Sequence, residues 1–273
     1  LNIDIINIIC PNCNSSSLGR TCNKCGEKTI ILKTCPRCKR VIKEKTCRSC
    51  KISGLPYTSK HFPLKETLSN AEKKIGYLPK SPFKGVKILM NSTRIAEPLE
   101  KGLLRNKHDL SIYRDGTIRF DTTNAPLTHF RPNQINISIK NLRKKGYKHD
   151  IYGKPLKSDN QILEIFVQDI IIPEIAIKHF LNTSKFIDEL LVKFYNSNSY
   201  YSLDKREDLL GQLVVGLAPH TSVGIIGRII GFTKSRVCYA HPFWHSAKRR
   251  DCDGDEDAII LLLDILLNFS KEY

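Results

Sequence analysis

The chain has 273 residues, of which 41% are hydrophobic, and its 44 lysines and arginines against 27 acids give a formal net charge of +17. That length suits one or two domains with real cores, and the charge surplus favours a polyanionic partner, either nucleic acid or an anionic membrane surface. The longest apolar run, Ala258 to Leu263, is far below the ~20 residues of a membrane-spanning helix. No charged-then-apolar signal segment opens the chain, so a cytoplasmic location is expected. Leu1 opens the sequence, Met90 is its only methionine and Tyr273 falls inside a helical pattern, so a piece of a longer protein is expected.

The first fifty residues hold eight of the ten cysteines. Cys10, Cys13, Cys22 and Cys25 read C-x2-C-x8-C-x2-C, and Cys35, Cys38, Cys47 and Cys50 repeat that spacing 25 residues later. Two C-x2-C turns can close a four-sulfur tetrahedral Zn²⁺ site with no open position, which is structural rather than catalytic. The metal then supplies folding energy that so short a segment lacks. A disulfide framework suits exported chains, and a redox C-x-x-C sits near a βαβ pattern; neither context is present. Whether each quartet binds its own ion or the two interleave is left open by the spacing. Cys238 and Cys252 read as lone buried thiols. Eleven lysines and arginines against three acids up to Lys51, among them Arg20, make this a cationic module suited to phosphates, with a merely solvated surface as the alternative.

Past Cys50 the sequence loosens, and Gly54, Pro56, Pro63, Gly76, Pro79, Pro82 and Gly85 punctuate a basic linker over 55–96. Within it a short helix is predicted around Leu68 to Lys74. Leu110 to Asp121, with two alternating runs about Asp115-Gly116, predicts a β-hairpin. "NISIKNLRKKGY" predicts a strand and then a short helix, and "QILEIFVQDIIIP" a strand or strand pair ending at Pro173. Glu174 to Tyr195 has helical periodicity. β-branched runs broken by Gly211, Gly216, Gly224, Gly227 and Gly231 predict short, sharply bent strands of a small barrel. No Gly-Lys-Ser/Thr follows these glycines, so they are not a P-loop. The predicted domains are therefore 1–54 with the two zinc modules, the basic linker 55–96, and 97–273 with the barrel.

Asp251, Asp253 and Asp255 alternate behind Lys248, Arg249 and Arg250. In an extended segment they share one side, and Gly254 allows the bend that would bring them together. Three adjacent carboxylates repel unless a hard cation neutralises them, and Mg²⁺ takes such oxygen ligands. Mg²⁺ so held activates a hydroxyl and stabilises a leaving pyrophosphate, while the basic run would face phosphate charge. An EF-hand fails, because glycine and glutamate are missing where that loop needs them. The plainer alternative is that Asp255 and Asp257 cap a helix running from Ala258 to Phe269. His241 and His245 stand four apart, but Pro242 disfavours a shared ligand face, so packing or DNA contact is expected of them.

"GLAPHTSVGIIGRIIGF", "YAHPFWHSAKRRDCDGDEDAIILLLDILLNFS" and "EPLEKGLLRNKHDLSIYRDGTIRFDTTNAPLTHF" together resemble the large subunit of archaeal family D DNA polymerase. The resemblance runs from about Glu97 to the end, with paired zinc modules similarly placed before it. It implies an α+β fold with a double-psi β-barrel catalytic core, and an acidic loop of the form Asn-Cys-Asp-Gly-Asp that holds the metals. Carried over, Asp253 and Asp255 fall on the metal-binding aspartates, and Asp251 falls where the family usually has asparagine. The implied activity is Mg²⁺-dependent transfer of nucleotides from dNTPs to a primer 3′ end on template DNA. The implied partners are the rest of the large subunit, with its second barrel, and a small subunit carrying the proofreading nuclease. Two other readings stay open: a non-catalytic zinc-bearing DNA-binding or assembly subunit, and an RNA-synthesising relative with the same barrel chemistry.

Overall fold

A computed structural model describes residues 2–17, 19, 21, 22, 24–61, 63–83, 97–219, 221 and 223–269. Arg20 and the stretch 84–96, with Gly85 and Met90, lie outside the described residues. The chain divides into two units, residues 1–107 and 108–273.

In the first unit, short strands frame the cysteines. β1 (Asn2–Ile6) leads into β2 (Ile8–Ile9), which pairs with β3 (Ser16–Ser17) and β4 (Ile30–Ile31). β5 (Lys33–Thr34) pairs with β6 (Val41–Ile42), and β7 (Tyr57–His61) returns antiparallel to β1. The buried Asn7 ties these pieces together. Its backbone bonds to Pro56 and Leu32, and its amide group meets the hydroxyls of Thr34 (3.2 Å) and Thr58 (2.8 Å). Residues 57–61 are thus part of this unit, not the start of a linker. Two helices complete it. α1 (Leu64–Ile75) is longer than the predicted 68–74 and stops at the left-handed Gly76. α2 (Leu99–Lys107) buries Leu103, Leu104 and Arg105, whose guanidinium forks onto Glu97 at 2.6 Å.

The second unit is built round a barrel. In chain order its elements are β8 (Phe120–Pro126), β9 (His129–Phe130), α3 (Ile139–Lys144), β10 (Leu163–Glu164), β11 (Asp169–Pro173) and α4 (Ala176–Lys193). They continue with β12 (Leu213–Leu217), β13 (Gly224–Thr233), β14 (Val237–Ala240), α5 (Pro242–Ala247), β15 (Glu256–Leu261) and α6 (Leu262–Phe269). Six strands close in the order β11-β13-β12-β15-β8-β14. The β11/β13 and β8/β14 pairs are parallel and the other four antiparallel. Closure explains why β11 is buried along its whole length: it has a neighbour on each edge and packing on each face. α4 turns Phe180, Ile187 and Leu190 inward at helical spacing and lies against β11 and β15. A side lobe of β9, β10 and α3 packs Phe130, Leu142, Tyr147, Leu156 and Leu163 onto Ile171 of β11 and Ile230 of β13.

The α+β class, the small barrel of bent strands, the strand pair ending at Pro173 and the helix over 174–195 are all present. Three predicted elements differ. Asp115-Gly116 does make a turn, with Tyr113 and Thr117 joined through their backbones at 3.1 Å, but β8 begins only at Phe120, so no regular hairpin forms. No strand precedes α3; a short 3₁₀ turn, Pro132–Ile135, and the Ser138 cap take its place. Ala258 to Leu261 is barrel strand, not helix, and α6 starts at Leu262. An all-apolar run of four has no period of its own, so the open places in the ladders of β12 and β8 decide its state. Asp257 consequently caps no helix.

Candidate functional site

The eight early cysteines form two separate clusters in the first unit, which settles their pairing. In Cys10, Cys13, Cys22 and Cys25, and again in Cys35, Cys38, Cys47 and Cys50, all sulfurs lie within 4.8 Å of one another. Sγ–Sγ separations are 3.4 Å for Cys10–Cys25, 3.5 Å for Cys13–Cys22 and 3.7 Å for Cys38–Cys47. A tetrahedral metal with ~2.3 Å bonds to sulfur requires roughly 3.8 Å, whereas a disulfide requires about 2.05 Å; all eight are free thiols.

Each C-x2-C pair folds alike. The residue after the second cysteine is left-handed (Asn14 φ 55°, Gly26 φ 74°, Lys39 φ 57°, Lys51 φ 54°) and donates its N–H to the carbonyl of the first. Three of these four positions are not glycine, so the turns are held against a conformational cost of about 1–2 kcal/mol each. The Ser15 hydroxyl pulls the Cys22 thiol down to about 6, and backbone N–H groups, Cys38's first, pull Cys35 down to about 7. Thiolate is the form a metal binds. Four sulfurs at these distances fit zinc with every position filled, leaving no room for chemistry at the metal.

The acidic loop lies in the second unit, between α5 and β15. Asp251, Asp253 and Asp255 are exposed, on a bend whose Gly254 has φ 105°, a conformation that favours glycine. The loop is thus bent rather than extended, and the cysteine quartets are the only described groups whose ligand atoms gather within 4.8 Å. The donor set is still of the hard-oxygen kind Mg²⁺ takes: three exposed carboxylates on one bend.

Immediately beyond the loop the chain is fixed. Asp257 is 1% exposed, opposite Thr122 in the β15–β8 ladder. It pairs with the ammonium of Lys248, which is fully buried, and with Arg250 at 3.2 Å. Lys248 also donates to Asn124 Oδ1 at 3.2 Å and lies 3.9 Å from the Trp244 ring centroid. Trp244 donates its indole N–H to Ile226 at 3.1 Å. The ring occupies space left by glycine, since a Cβ on Gly216 would come within 2.4 Å of it. Arg250 reaches back to Asp255 at 2.7 Å, and the Asp255 carbonyl accepts from Asn124 N at 3.1 Å.

The basic run therefore does not act as one group. Lys248 is an internal anchor, not a phosphate contact, because burial leaves its ammonium no path to a ligand; burial also lowers its pKa, against the pull of Asp257. Arg250 spans Asp255 and Asp257, and Arg249 is exposed. His241 caps α5 by accepting from Phe243 N at 3.1 Å. His245 is a packing residue, its Nε2 3.1 Å from the Ala125 carbonyl, with its pKa pushed down to about 4 by burial. Cys238 is buried and its thiol is pushed up to about 12 by desolvation; Cys252, half-buried, is shifted the same way. Asn124 and Trp244 were not foreseen. The lone tryptophan near glycine-broken strands was a usable signal for the second, and nothing local marked the first.

The family model of the DNA polymerase II large subunit DP2 catalytic domain matches residues 76–273. The chain belongs to this family. The match takes in the whole barrel and the acidic loop. The DNA polymerase II large subunit of Pyrococcus furiosus is 45% identical over 278 residues, covering 99% of this chain and 22% of that protein. For that of Cenarchaeum symbiosum the figures are 47% over 270 residues, 99% and 24%; for that of Archaeoglobus fulgidus, 46% over 265 residues, 97% and 23%. The likeness to these family members extends through the cysteine modules, and the chain spans less than a quarter of their length. Among the described residues no helix is long and apolar enough to cross a membrane.

Proposed function

We propose that the chain is the catalytic segment of a template-directed, cytoplasmic DNA polymerase that transfers nucleotides from dNTPs to a primer 3′ end. The observation that carries this reading is the acidic loop: three exposed carboxylates on a glycine bend, delivered into a closed barrel and pinned at its far end by Asp257. The mixed barrel, with two parallel and four antiparallel pairs, supports the double-psi kind.

In this reading Asp253 and Asp255 supply oxygen ligands to Mg²⁺, and Asp251 assists from the near side of the bend. When bound, Mg²⁺ lowers the pKa of the attacking hydroxyl and neutralises charge on the leaving pyrophosphate. The chain's own task is to hold those oxygens in place. The Asp257–Lys248 pair fixes the start of β15, the Arg250 guanidinium orients the Asp255 carboxylate, and the exposed Arg249 is the member of the run free to meet phosphates. The zinc modules hold their unit together and present its basic surface to DNA or to neighbouring parts of the enzyme. The remaining large subunit, with a second barrel, and a small subunit with the proofreading nuclease complete the assembly.

Primer extension by that assembly tests the reading. Asp253→Asn and Asp255→Asn should each lose roughly a thousandfold or more in rate while circular dichroism stays unchanged; Asp253→Asn removes a metal ligand alone, and Asp255→Asn also removes the partly exposed pair with Arg250. Extension at the wild-type rate by both variants would leave the second reading, a zinc-bearing DNA-binding or assembly subunit. The scatter of the three carboxylates, against the tight gathering of the cysteines, is the observation in its favour. Preference for deoxynucleotides over ribonucleotides in the same assay separates DNA from RNA synthesis.

A further inference from the structure

The side lobe carries a feature that the acidic loop does not explain. Lys140, Arg143 and Lys144 on α3 and Lys157 from the following loop line one shallow depression of about 590 Å³, with only Ile139 beside them. All four cations are exposed, no acid lines the depression, and none of the four pairs with a carboxylate among the described residues. Arg143 is oriented by donating to the Leu156 carbonyl, which fastens the helix to the loop that brings Lys157. The nearby acid Asp150 is occupied elsewhere, accepting from the N–H groups of Tyr152 and Lys154 and from Gln161. A solvated helix face usually alternates charges or pairs them at i, i+4; four unpaired cations drawn from two segments around one hollow do not fit that pattern.

We infer that this depression is a second phosphate-binding surface that grips the sugar-phosphate backbone of nucleic acid away from the reacting end. The inference rests on the polymerase reading only for the identity of the polyanion. Its position supports it. The lobe packs on β11 and β13, and β11 lies farthest round the closed barrel from β15, the strand the acidic loop enters. One duplex carries a negative charge every ~1.7 Å along its axis, so a strand whose end sits at the acidic loop still has phosphates to offer beyond the barrel wall. Contacts of this kind fix register and add affinity without reading sequence.

The test uses the complete large subunit that carries this segment, with Lys140→Gln/Lys144→Gln compared with the charge-matched pair Lys178→Gln/Lys185→Gln on the exposed side of α4. Binding of a fluorescently labelled primer-template is followed by anisotropy across a salt series without Mg²⁺. Loss of two phosphate contacts should flatten the slope of log K against log salt by about 1.8 and weaken binding about tenfold or more at moderate salt, with the α4 pair close to wild type. Equal changes in both pairs mean that only net charge matters, and an unchanged slope in the α3 pair means no contact; either overturns the inference. Asp253→Asn separates this outcome from failure of the polymerase reading, because it should abolish extension without altering the slope.

Discussion

Lys248 and Asp257 sit nine residues apart, one ending the turn after α5 and the other inside the β15 ladder, and neither is reached by water. Burying two charges is costly unless geometry and extra hydrogen bonds offset desolvation. Here Asn124, Arg250 and the face of Trp244 supply the remaining partners. Removing one member should therefore be worse than losing a contact. Lys248→Ala is expected to destabilise the second unit by about 3–5 kcal/mol in denaturant titration, because Asp257 is left buried with a single cation. Two histidines set a second effect at this scale. His179 and His245 fold neutral, burial holding each near 4 against an ordinary 6.5. Between those values the unfolded chain binds more protons, so stability is full above about 6.5 and falls as pH drops toward 4. Melting temperature followed over that range should decline, and His245→Gln should decline less steeply.

Elements were legible where a period or a turn residue set them and illegible where a partner did. α4 shows its inward residues at helical spacing, and β12 and β13 announce themselves through β-branched runs broken by glycine. Those glycines have a second role that no spacing reveals, since Gly216 keeps its Cβ-free face for the indole of Trp244. Ala258 to Leu261 reads as the start of a long apolar helix, yet two neighbouring strands take it into the ladder. Asp257 shows the same limit. As a residue before an apolar run it looks like a cap, and only the fold reveals Lys248 and Arg250 on either side of it. The exposed acids Asp251, Asp253 and Asp255 could be picked out because carboxylates in alternation about a glycine are unusual in so basic a chain. Their anchor could not, for it depends on Asn124, more than a hundred residues away.

At the scale of the whole molecule, the two units are stabilised by different means. The barrel closes on itself and buries large aliphatic and aromatic side chains. Between β1 and β7 the strands are two residues long and few apolar side chains besides the cysteines are buried, so the order of this segment depends on the two sulfur clusters. Metal analysis should find two zinc ions per chain, and a strong chelator should release them and unfold residues 2–61 while the barrel's circular dichroism and melting persist. Cys13→Ser and Cys38→Ser should each abolish one ion and leave the other, since the quartets do not interleave.

Trp244 is the only tryptophan in the sequence. Its ring is 1% exposed, faces the ammonium of Lys248 and fills the room beside Gly216 and Gly227. All indole emission from this chain thus originates a few side chains from the acidic loop, in a dry setting beside a fixed positive charge. The molecule carries its own optical probe at the point where that loop is anchored, so a change in the anchor alters colour and intensity without any added label.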